Sequence, residues 1–570
     1  MGFPRWNHNE HDLIGDSRCL ALDNNKEYRK NFMNEYSQKA LTELNPEGHT
    51  SLVEMFDKVC QEHSDVVAFS CLGHEVSYAE IDRLSNIMGH YLCHQLGLQK
   101  GDRVAVQLPN IIQYPIVAWA IMRTGLVLVN TNPQYTPREQ IHQFNDSGAR
   151  ALIVLEELLP VTQSVIDKTS IEQVIVTGAF DLAQPNGDQA ALSQNYIWFN
   201  DALGLGERGL SSEEHSFKPD LNMDDLAVLQ YTGGTTGPSK GAMLTHGNLF
   251  AAVTMSRQSV VLIKPGEIEM PIAPLPLYHV FGFTRNIVSS FLWGGTSILI
   301  PDPRDVGSII KAMKAYPFSS IAAVNTLLQA MMAHPEFDEV DFSTLVAVIS
   351  GGTALVKEIA DEWYARTGSE IYEGYGLSET SAAATCNRPE DRELGTVGPA
   401  LNYQQIKIVD KQGKQMAAGE AGEVCLRGPQ IMSGYWNKPE ATAESIDKDG
   451  WFSTGDIGVL QSNGRLKIVD RIKDMILVSG FNVYPNEVEE VVYGHPNITE
   501  CAAVGVPNDA TGEAIKLFVV SNNPQLKDND IIEFCRGELT AYKIPKQIVF
   551  AEDLPKSPAG KILRRELRDI

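Results

Sequence analysis

The sequence predicts an α/β protein, with a large N-terminal domain of layered sheets and a small, mobile α+β domain at the C-terminus. Short apolar runs alternate with segments of helical periodicity from about residue 52 onward, which is typical of mostly parallel sheets covered by helices. The chain has 570 residues. A chain of this length usually forms more than one hydrophobic core. A Gly-rich loop directly follows an apolar run, where α/β sheets place their ligands.

The first part of the chain supplies these elements in turn. Ser77 and Glu80 form the pattern of a capping box, and an apolar face of helical spacing follows them, formed by Ile81, Leu84, Met88, Tyr91 and Leu92. Further on, we predict a strand over 103–108, a helix from about 112, a strand over 126–129, a helix over 137–144 and a strand over 151–155. Residues 180–222 are polar and predict a surface excursion.

Residues 470–474 are mostly charged and directly follow an apolar run, and this change in composition predicts a domain boundary. Residues 1–45 lack clear periodicity and predict a loose extension. We therefore assign the large domain to 46–469 and the small domain to 470–570, a length that is typical of a compact domain. Within the small domain we predict a helix over 485–493 and strands over 500–506 and 515–520.

Composition excludes several classes of partner. The formal net charge of −25 argues against nucleic acid, which needs clustered Lys and Arg, and against electrostatic adhesion to an anionic membrane. We find no apolar run of about 18 residues that would indicate a membrane-spanning helix, and no secretory signal pattern. The eight cysteines are scattered without a Cys-x-x-Cys pair, which predicts free thiols in a reducing cytoplasm.

The most informative segment is YTGGTTGPSKGAMLTHGN, residues 231–248. Glycines let backbone N–H groups approach an anion closely, and consecutive N–H groups form an anion-binding concavity. The segment therefore predicts a loop that holds a polyphosphate, formed by Thr232, Gly233, Gly234, Thr235, Thr236, Gly237 and Lys240. A flexible linker is the plain alternative. A Walker loop is excluded, because Gly237 is followed by Pro-Ser-Lys-Gly and not by Lys-[Ser/Thr].

Three later motifs extend this interpretation, although each alone could be an ordinary turn. Tyr375 lies between two glycines and offers an aromatic face to a base. Glu379 supplies an oxygen of the kind that Mg²⁺ takes alongside phosphates. Asp456 follows a Gly turn and could accept hydrogen bonds from ribose hydroxyls, and the turn at Gly464 predicts a hairpin that returns Arg471 to its neighbourhood.

The C-terminal tail, LPKSPAGKILRREL, is basic within an acidic protein. Lys561 follows Gly560, so that its side chain could swing on a defined backbone; the alternative is a solubilising surface lysine. Together with Lys556, Arg564 and Arg565, it predicts a basic end that docks onto a phosphate-bearing cleft.

Taken in this order, the motifs resemble the adenylate-forming, acyl-activating superfamily from about residue 50 to the end. The closer resemblance is to bacterial long-chain fatty-acid–CoA ligases. It is carried by NPQYTPRE (132–139), PLPLYHVFGF (274–283), VNTLLQA (324–330), GDIGVL (455–460) and DRIKDMILVSGFNVYPNEVEE (470–490).

The resemblance implies a role for each candidate residue. The loop from Thr232 to Lys240 would cradle the β- and γ-phosphates of ATP. The remaining nucleotide site would be formed by Gly352, Thr353, Tyr375 and Gly376 at adenine, Ser378 and Glu379 at the α-phosphate and Mg²⁺, and Asp456 and Arg471 at the ribose. The acyl and transfer machinery would be His279 at the acyl entrance, Asp470 as hinge, Gly480 in the coenzyme A tunnel and Lys561 as the adenylation lysine. Ser378 departs mildly from the threonine that is usual in the family.

The implied activity is ATP-dependent formation of an acyl-adenylate from a fatty acid, and transfer of the acyl group to coenzyme A. Activation of another carboxylic acid, or loading of a carrier protein, is the nearest alternative. A nucleotide-binding regulatory protein and an ATP hydrolase stay open as other classes. The resemblance is also compatible with a homodimer and with peripheral contact at the inner face of the cell membrane.

Overall fold

A computed structural model of the chain describes residues 35–183, 195–210, 219–232, 238–260, 267–479, 481–508, 511–557, 560–568 and 570. The described residues form four sheets. Two are large and mostly parallel, and two are smaller and mostly antiparallel. A large N-terminal α/β part and a smaller C-terminal part are therefore present, and the predicted fold class is confirmed.

The first large sheet has eight strands. Its inner strands are parallel, and its two edge strands are antiparallel to their neighbours. In spatial order the strands are Thr385–Cys386, Ile371–Tyr375, Ala347–Gly351, Ser320–Ala323, Pro271–Ala273, Ser297–Leu299, Val67–Cys71 and His74–Ser77.

The second large sheet has seven strands, all parallel except the last pair. In spatial order they are Tyr196–Trp198, Gln173–Thr177, Ala149–Leu155, Arg103–Gln107, Val127–Asn130, Leu226–Thr232 and Lys240–Thr245. The strand and helix predictions over residues 77–155 are confirmed, including the capping box of Ser77 and Glu80.

Helices pack between and around the two large sheets. The helix Gln113–Arg123 is buried from Gln113 to Met122, as expected for a helix that is apolar all round. One core cluster joins Val104 of the second sheet, Phe69 of the first sheet and Trp119 of this helix. The other principal helices of this part are Leu52–Glu62, Tyr78–His90, Pro137–Ser147, His246–Ser259, Val306–Ala315, Asn325–Ala333 and Lys357–Thr367.

The two smaller sheets follow along the chain. The first is antiparallel, with the strands Gln405–Val409, Ala421–Arg427, Phe452–Leu460 and Leu466–Arg471. The second consists of Phe481–Val483, Ile476–Val478, Gly512–Ser521, Ile498–Asn508 and Gln547–Phe550, the last being parallel to its neighbour. The helices Pro485–Tyr493, Asp528–Glu538 and Arg564–Arg568 accompany this second sheet.

Two polar segments contain more regular structure than the sequence predicted. The end of the predicted loose extension forms the helix Glu35–Leu44, whose Ala40 and Leu44 are buried; residues 1–34 lie outside the described part. The predicted surface excursion contains the edge strand Tyr196–Trp198 and the helix Phe199–Leu210. Both segments are polar overall, and the few apolar side chains that decide their packing are too sparse to stand out in a sequence window.

Among the described helices, none is long and apolar enough to span a membrane.

A buried ion pair lies beside the eight-stranded sheet. Arg285 donates to both carboxylate oxygens of Glu269, through Nη1 at 3.0 Å to one of them, and Nη2 also donates to Ser320 Oγ at 3.0 Å. Burial disfavours the charged form of Glu269, but the Arg285 guanidinium outweighs it and holds the pKa of the carboxyl below its usual range.

We expect this pair to be costly to break singly and cheap to replace as a unit. Arg285→Met leaves a buried carboxylate unpaired, at a cost of roughly 3–5 kcal/mol. Combining it with Glu269→Met removes both charges and should restore most of the loss. Thermal unfolding midpoints of the two variants test this, and a double variant as unstable as the single one would contradict it.

Candidate functional site

The predicted site residues meet at one large cavity of about 2410 Å³. Its wall includes all the described candidates except Lys240, namely Thr232, His279, Gly352, Thr353, Tyr375, Gly376, Ser378, Glu379, Asp456, Asp470, Arg471 and Lys561. Gly233, Gly234, Thr235, Thr236, Gly237 and Gly480 lie outside the described residues.

The parallel sheet explains why distant segments converge. Strands Ala347–Gly351 and Ile371–Tyr375 pair in parallel, with Gly351 opposite Gly374. Their carboxyl ends therefore deliver Gly352, Thr353 and Tyr375 to the same edge, where α/β sheets bind ligands. Thr353 Oγ1 is buried without a hydrogen-bond partner in the described part of the chain. A buried hydroxyl of this kind is expected to bind a ligand or water.

Asp456 is a buried and doubly bound carboxylate in the cavity wall. It is 3% exposed, and Tyr375 donates its phenolic hydrogen to Oδ2 at 2.5 Å. Arg471 Nε lies 3.2 Å from Oδ1. The predicted hairpin is present, because Asp456 and Arg471 face each other across the strands Phe452–Leu460 and Leu466–Arg471. Asp456 therefore offers an oriented acceptor beside the Tyr375 ring, as a ribose would need.

Glu379 lies at the start of a sharp turn. It belongs to the 3₁₀ segment Ser378–Thr380, and the next two residues, Ser381 and Ala382, have φ values of 52° and 73°. Backbone in this region is uncommon for residues other than glycine, and it clusters at functional sites. Burial raises the pKa of Glu379, although Tyr435 donates a hydrogen bond to Oε1 at 2.8 Å. A carboxylate that loses solvation in this way gains from a nearby cation.

Tyr435 is a site residue that the sequence analysis missed. Besides Glu379, it contacts Lys240, whose ammonium lies 4.4 Å from the ring centroid. Lys240 in turn pairs with Thr232 across the hairpin that flanks the Gly-rich loop. Tyr435 thus joins the two ends of the predicted phosphate site. The signal was the dipeptide Gly434-Tyr435, which repeats the Gly-Tyr pattern of Gly374-Tyr375.

His279 lies at the other side of the cavity. Its Nδ1 accepts a hydrogen bond from the Phe281 N–H at 3.3 Å. The ring opens onto the cavity, inside the protein. Burial and the nearby Lys561 ammonium lower the pKa of His279 to about 4. The imidazole is therefore neutral at pH 7 and lines the wall without adding charge.

Lys561 reaches into the cavity from the C-terminal tail. Gly560 has a φ of 77°, and an added Cβ would lie 2.7 Å from Thr326 Oγ1, so the chain needs glycine at this close approach. The Lys561 N–H donates to Ser557 Oγ at 3.1 Å. Burial, followed by the positive charges of Arg471 and Arg564, lowers the pKa of the ammonium to about 8. A polyphosphate in the cavity would relieve this repulsion.

The other basic residues of the tail do not serve the site as free cations. Lys556 pairs with Glu500 at 2.8 Å and with Asp553. Arg564 pairs with Glu489, and Arg565 lies 3.9 Å from Glu566. All four tail cations nevertheless line the cavity, so a basic end at this cleft stays a prediction, in which Lys556, Arg564 and Arg565 also have carboxylate partners.

Asp470 is held by main-chain donors where the last strand of the four-stranded sheet ends. The N–H groups of Arg471 and Asn486 donate to its two oxygens at 2.7 and 2.8 Å. Burial raises the pKa of this carboxyl to about 6. It therefore stands where the chain passes into the C-terminal sheet, and its role as a hinge stays a prediction.

The lowered pKa of Lys561 gives a direct test of this geometry. Amine-selective labelling of Lys561, followed by mass spectrometry across pH, should reach half its maximum near pH 8. Arg471→Met removes a neighbouring positive charge, so the midpoint should move to higher pH. Arg565→Met, at an exposed arginine on the same tail, is the matched control and should leave the midpoint in place. An unshifted midpoint in Arg471→Met would count against the arrangement.

Comparison with known proteins agrees with this architecture. The family description "AMP-binding enzyme" matches residues 56–436, and "AMP-binding enzyme C-terminal domain" matches residues 487–561. A long-chain-fatty-acid–CoA ligase from Salmonella typhimurium (strain LT2) is 44% identical over 556 residues, covering 95% of this chain and 98% of that relative.

Two solved structures are similar throughout. The anthranilate CoA ligase AuaEII in complex with anthranoyl-AMP has a TM-score of 0.82 and 26% identity, covering 91% of this chain and 96% of that chain. ATP-bound MatB from Rhodopseudomonas palustris has a TM-score of 0.79 and 28% identity, covering 91% and 98%. With its site residues gathered at one cavity and these matches along its length, the chain belongs to the AMP-binding enzyme family.

Proposed function

We propose that the protein is a long-chain-fatty-acid–CoA ligase that consumes ATP, forms an acyl-adenylate, and releases AMP and pyrophosphate. The observation that carries this proposal is the meeting of Tyr375, Glu379, the Asp456–Arg471 pair and Lys561 at one cavity. An aromatic face, a ribose acceptor, a metal-suited carboxylate and a swinging cation together fit ATP better than any simpler ligand. The 44% identical relative named for this activity supports it.

The first step is attack of the fatty carboxylate on the α-phosphorus of ATP. Two anions must approach each other, and more charge develops on the phosphates in the transition state. The Lys561 ammonium would oppose that charge from inside a desolvated cavity, where such stabilisation is strongest. His279 is neutral, so it would line the carboxylate's path without trapping it as an ion pair.

Mg²⁺ fits beside Glu379. Mg²⁺ binds through one or two carboxylates together with substrate phosphates, and Glu379 is a desolvated carboxylate bonded to Tyr435, whose ring contacts Lys240. No group of three or more His, Cys, Asp or Glu side chains that could hold a metal ion occurs among the described residues. When bound there, the ion would neutralise phosphate charge.

The second step is attack of the coenzyme A thiol on the acyl carbonyl, with AMP leaving. Once pyrophosphate has left, the negative charge that the Lys561 ammonium would oppose is gone. We propose that the small domain, residues 470–570, then rotates about Asp470, withdraws Lys561 and brings Gly480 to the cleft as part of the coenzyme A tunnel. One cleft would serve both chemistries through a hinge motion.

We place the enzyme in the cytoplasm, with peripheral contact at the inner face of the cell membrane, where long-chain acids partition. The scattered free thiols support a reducing compartment.

Activation of a different acid is the second candidate. It is favoured by the anthranilate CoA ligase, which shares the fold at 26% identity. Each buried methylene contributes about 0.8 kcal/mol, so the depth of the acyl pocket will decide between the two.

Products and substrate preference can be measured together. Purified protein with ATP, Mg²⁺ and coenzyme A should release AMP and pyrophosphate with fatty acids, increasingly as chain length rises. A preference for an aromatic acid, or for a carrier protein in place of coenzyme A, would favour the second candidate. Release of ADP and phosphate would refute both and indicate a hydrolase.

Lys561→Ala should separate the two steps. Without the ammonium, pyrophosphate release from ATP and a fatty acid should fall by roughly 10²–10³-fold, the range seen when one charge-stabilising donor is lost. Conversion of preformed acyl-AMP with coenzyme A should persist. Equal loss of both steps, or loss of neither, would show that Lys561 has another role.

A further inference from the structure

Arg564 is the most extensively paired cation near the cavity. It begins the helix Arg564–Arg568, three residues after Lys561. Its Nε and Nη2 donate to the two oxygens of Glu489 at 3.0 and 2.6 Å. This is the bidentate geometry in which arginine binds a carboxylate most strongly. The side chain is 16% exposed, so the pair is shielded from solvent.

The same guanidinium also faces the end of strand Leu466–Arg471. Nη1 lies 3.7 Å from Asp470 Oδ1 and 3.7 Å from Asp474 Oδ2. Nη2 donates to Asn486 Oδ1, while the Asn486 N–H donates to Asp470 Oδ2 at 2.8 Å. Arg564 therefore joins the tail to the residues around the proposed hinge.

The segment between Lys561 and Arg564 is itself fixed. The Leu563 N–H donates to the Pro555 carbonyl at 2.8 Å, and Lys556 and Ile562 form an antiparallel bridge. Because the loop is closed by these contacts, a shift of Arg564 would carry Lys561 with it.

The contacts of Arg564 differ in strength. Those to Glu489 are short and bidentate, so the tail and the helix Pro485–Tyr493 should move as one body. The contact to Asp470 is long, and it bridges to a strand of the preceding sheet. Rotation about Asp470 would break the long contact first and leave the short ones intact.

We propose that Arg564 is a positioning residue for the first half-reaction, because it holds the Lys561 loop in the cavity while the tail is docked against Asp470. Arg564 is not required for transfer to coenzyme A, when the tail has left Asp470. This inference rests on the proposed function.

The experiment compares Arg564→Met and Arg564→Lys with the control Arg568→Met. Arg568 is on the same helix and binds Asp474 at 2.8 Å, but it has no contact with Glu489, Asn486 or Asp470 in the described part of the chain. Single-turnover pyrophosphate release from ATP and a fatty acid reports the first half-reaction. Thioester formation from preformed acyl-AMP and coenzyme A reports the second half-reaction and, because it needs the C-terminal domain, the integrity of the fold.

In Arg564→Met, pyrophosphate release should fall roughly 10- to 100-fold, since a displacement near 1 Å can cost 10²-fold. Thioester formation should persist. Arg564→Lys should lose less, because it keeps the charge but not the bidentate geometry. Arg568→Met should retain both half-reactions.

A pH profile adds a readout that a purely structural role would not move. The first half-reaction needs the Lys561 ammonium, so its rate should fall as pH rises through the pKa of that group. Removing the positive charge of Arg564 raises this pKa, and the alkaline limb should move to higher pH in Arg564→Met but stay in Arg564→Lys and Arg568→Met. The charged and titratable groups that act on Lys561 are Arg471, Arg564, Asp456, Asp474 and His279.

Two results would overturn the inference. One is an equal loss of both half-reactions in Arg564→Met and Arg564→Lys, which would indicate damage to the fold. The other is unchanged pyrophosphate release in Arg564→Met. If the wild-type protein released no AMP with any acid, the proposed function itself would fail, and that result is visible before any variant is compared.

Discussion

The buried carboxylate of Asp456 connects the parts of this protein that must act together. Tyr375, at the carboxyl end of the eight-stranded sheet, donates to one of its oxygens, and Arg471, on the last strand before the C-terminal sheet, lies against the other. Asp470, the neighbour of Arg471, is bound by Asn486 at the start of the C-terminal helix Pro485–Tyr493. A short path of hydrogen bonds and ion pairs therefore links the nucleotide site to the small domain.

Two charged groups in the cavity wall, Lys561 and Glu379, would each gain from a ligand of opposite charge. Burial, followed by the positive charges of Arg471 and Arg564, lowers the pKa of Lys561 to about 8. Glu379 is desolvated and has its pKa raised. A polyphosphate would stabilise the Lys561 ammonium, and a cation would stabilise the Glu379 carboxylate.

The carboxylates around the tail form ion pairs with particular cations of the tail. They pair with Lys556, Arg564 and Arg565, which line the cavity together with Lys561. Sequence composition alone could not distinguish these four cations, because it records their number and not their partners. Their partners separate them, since Arg564 is held by a bidentate carboxylate, whereas the Lys561 ammonium faces the cavity.

The sequence by itself determined the α/β class and the elements between residues 77 and 155, because periodicity and capping residues are local properties, and the resemblance of its motifs to a known family supplied the candidate site. It also predicted the hairpin that brings Arg471 near Asp456, but a register shift between the turn and these residues decides that they face each other. Only the tertiary structure decided that the helix Glu35–Leu44 packs against the domain and that Tyr435 contacts both Glu379 and Lys240. It also decided that Glu489 forms an ion pair with Arg564. These depend on residues far apart in the chain, whose proximity is set by packing between elements and leaves no periodic trace.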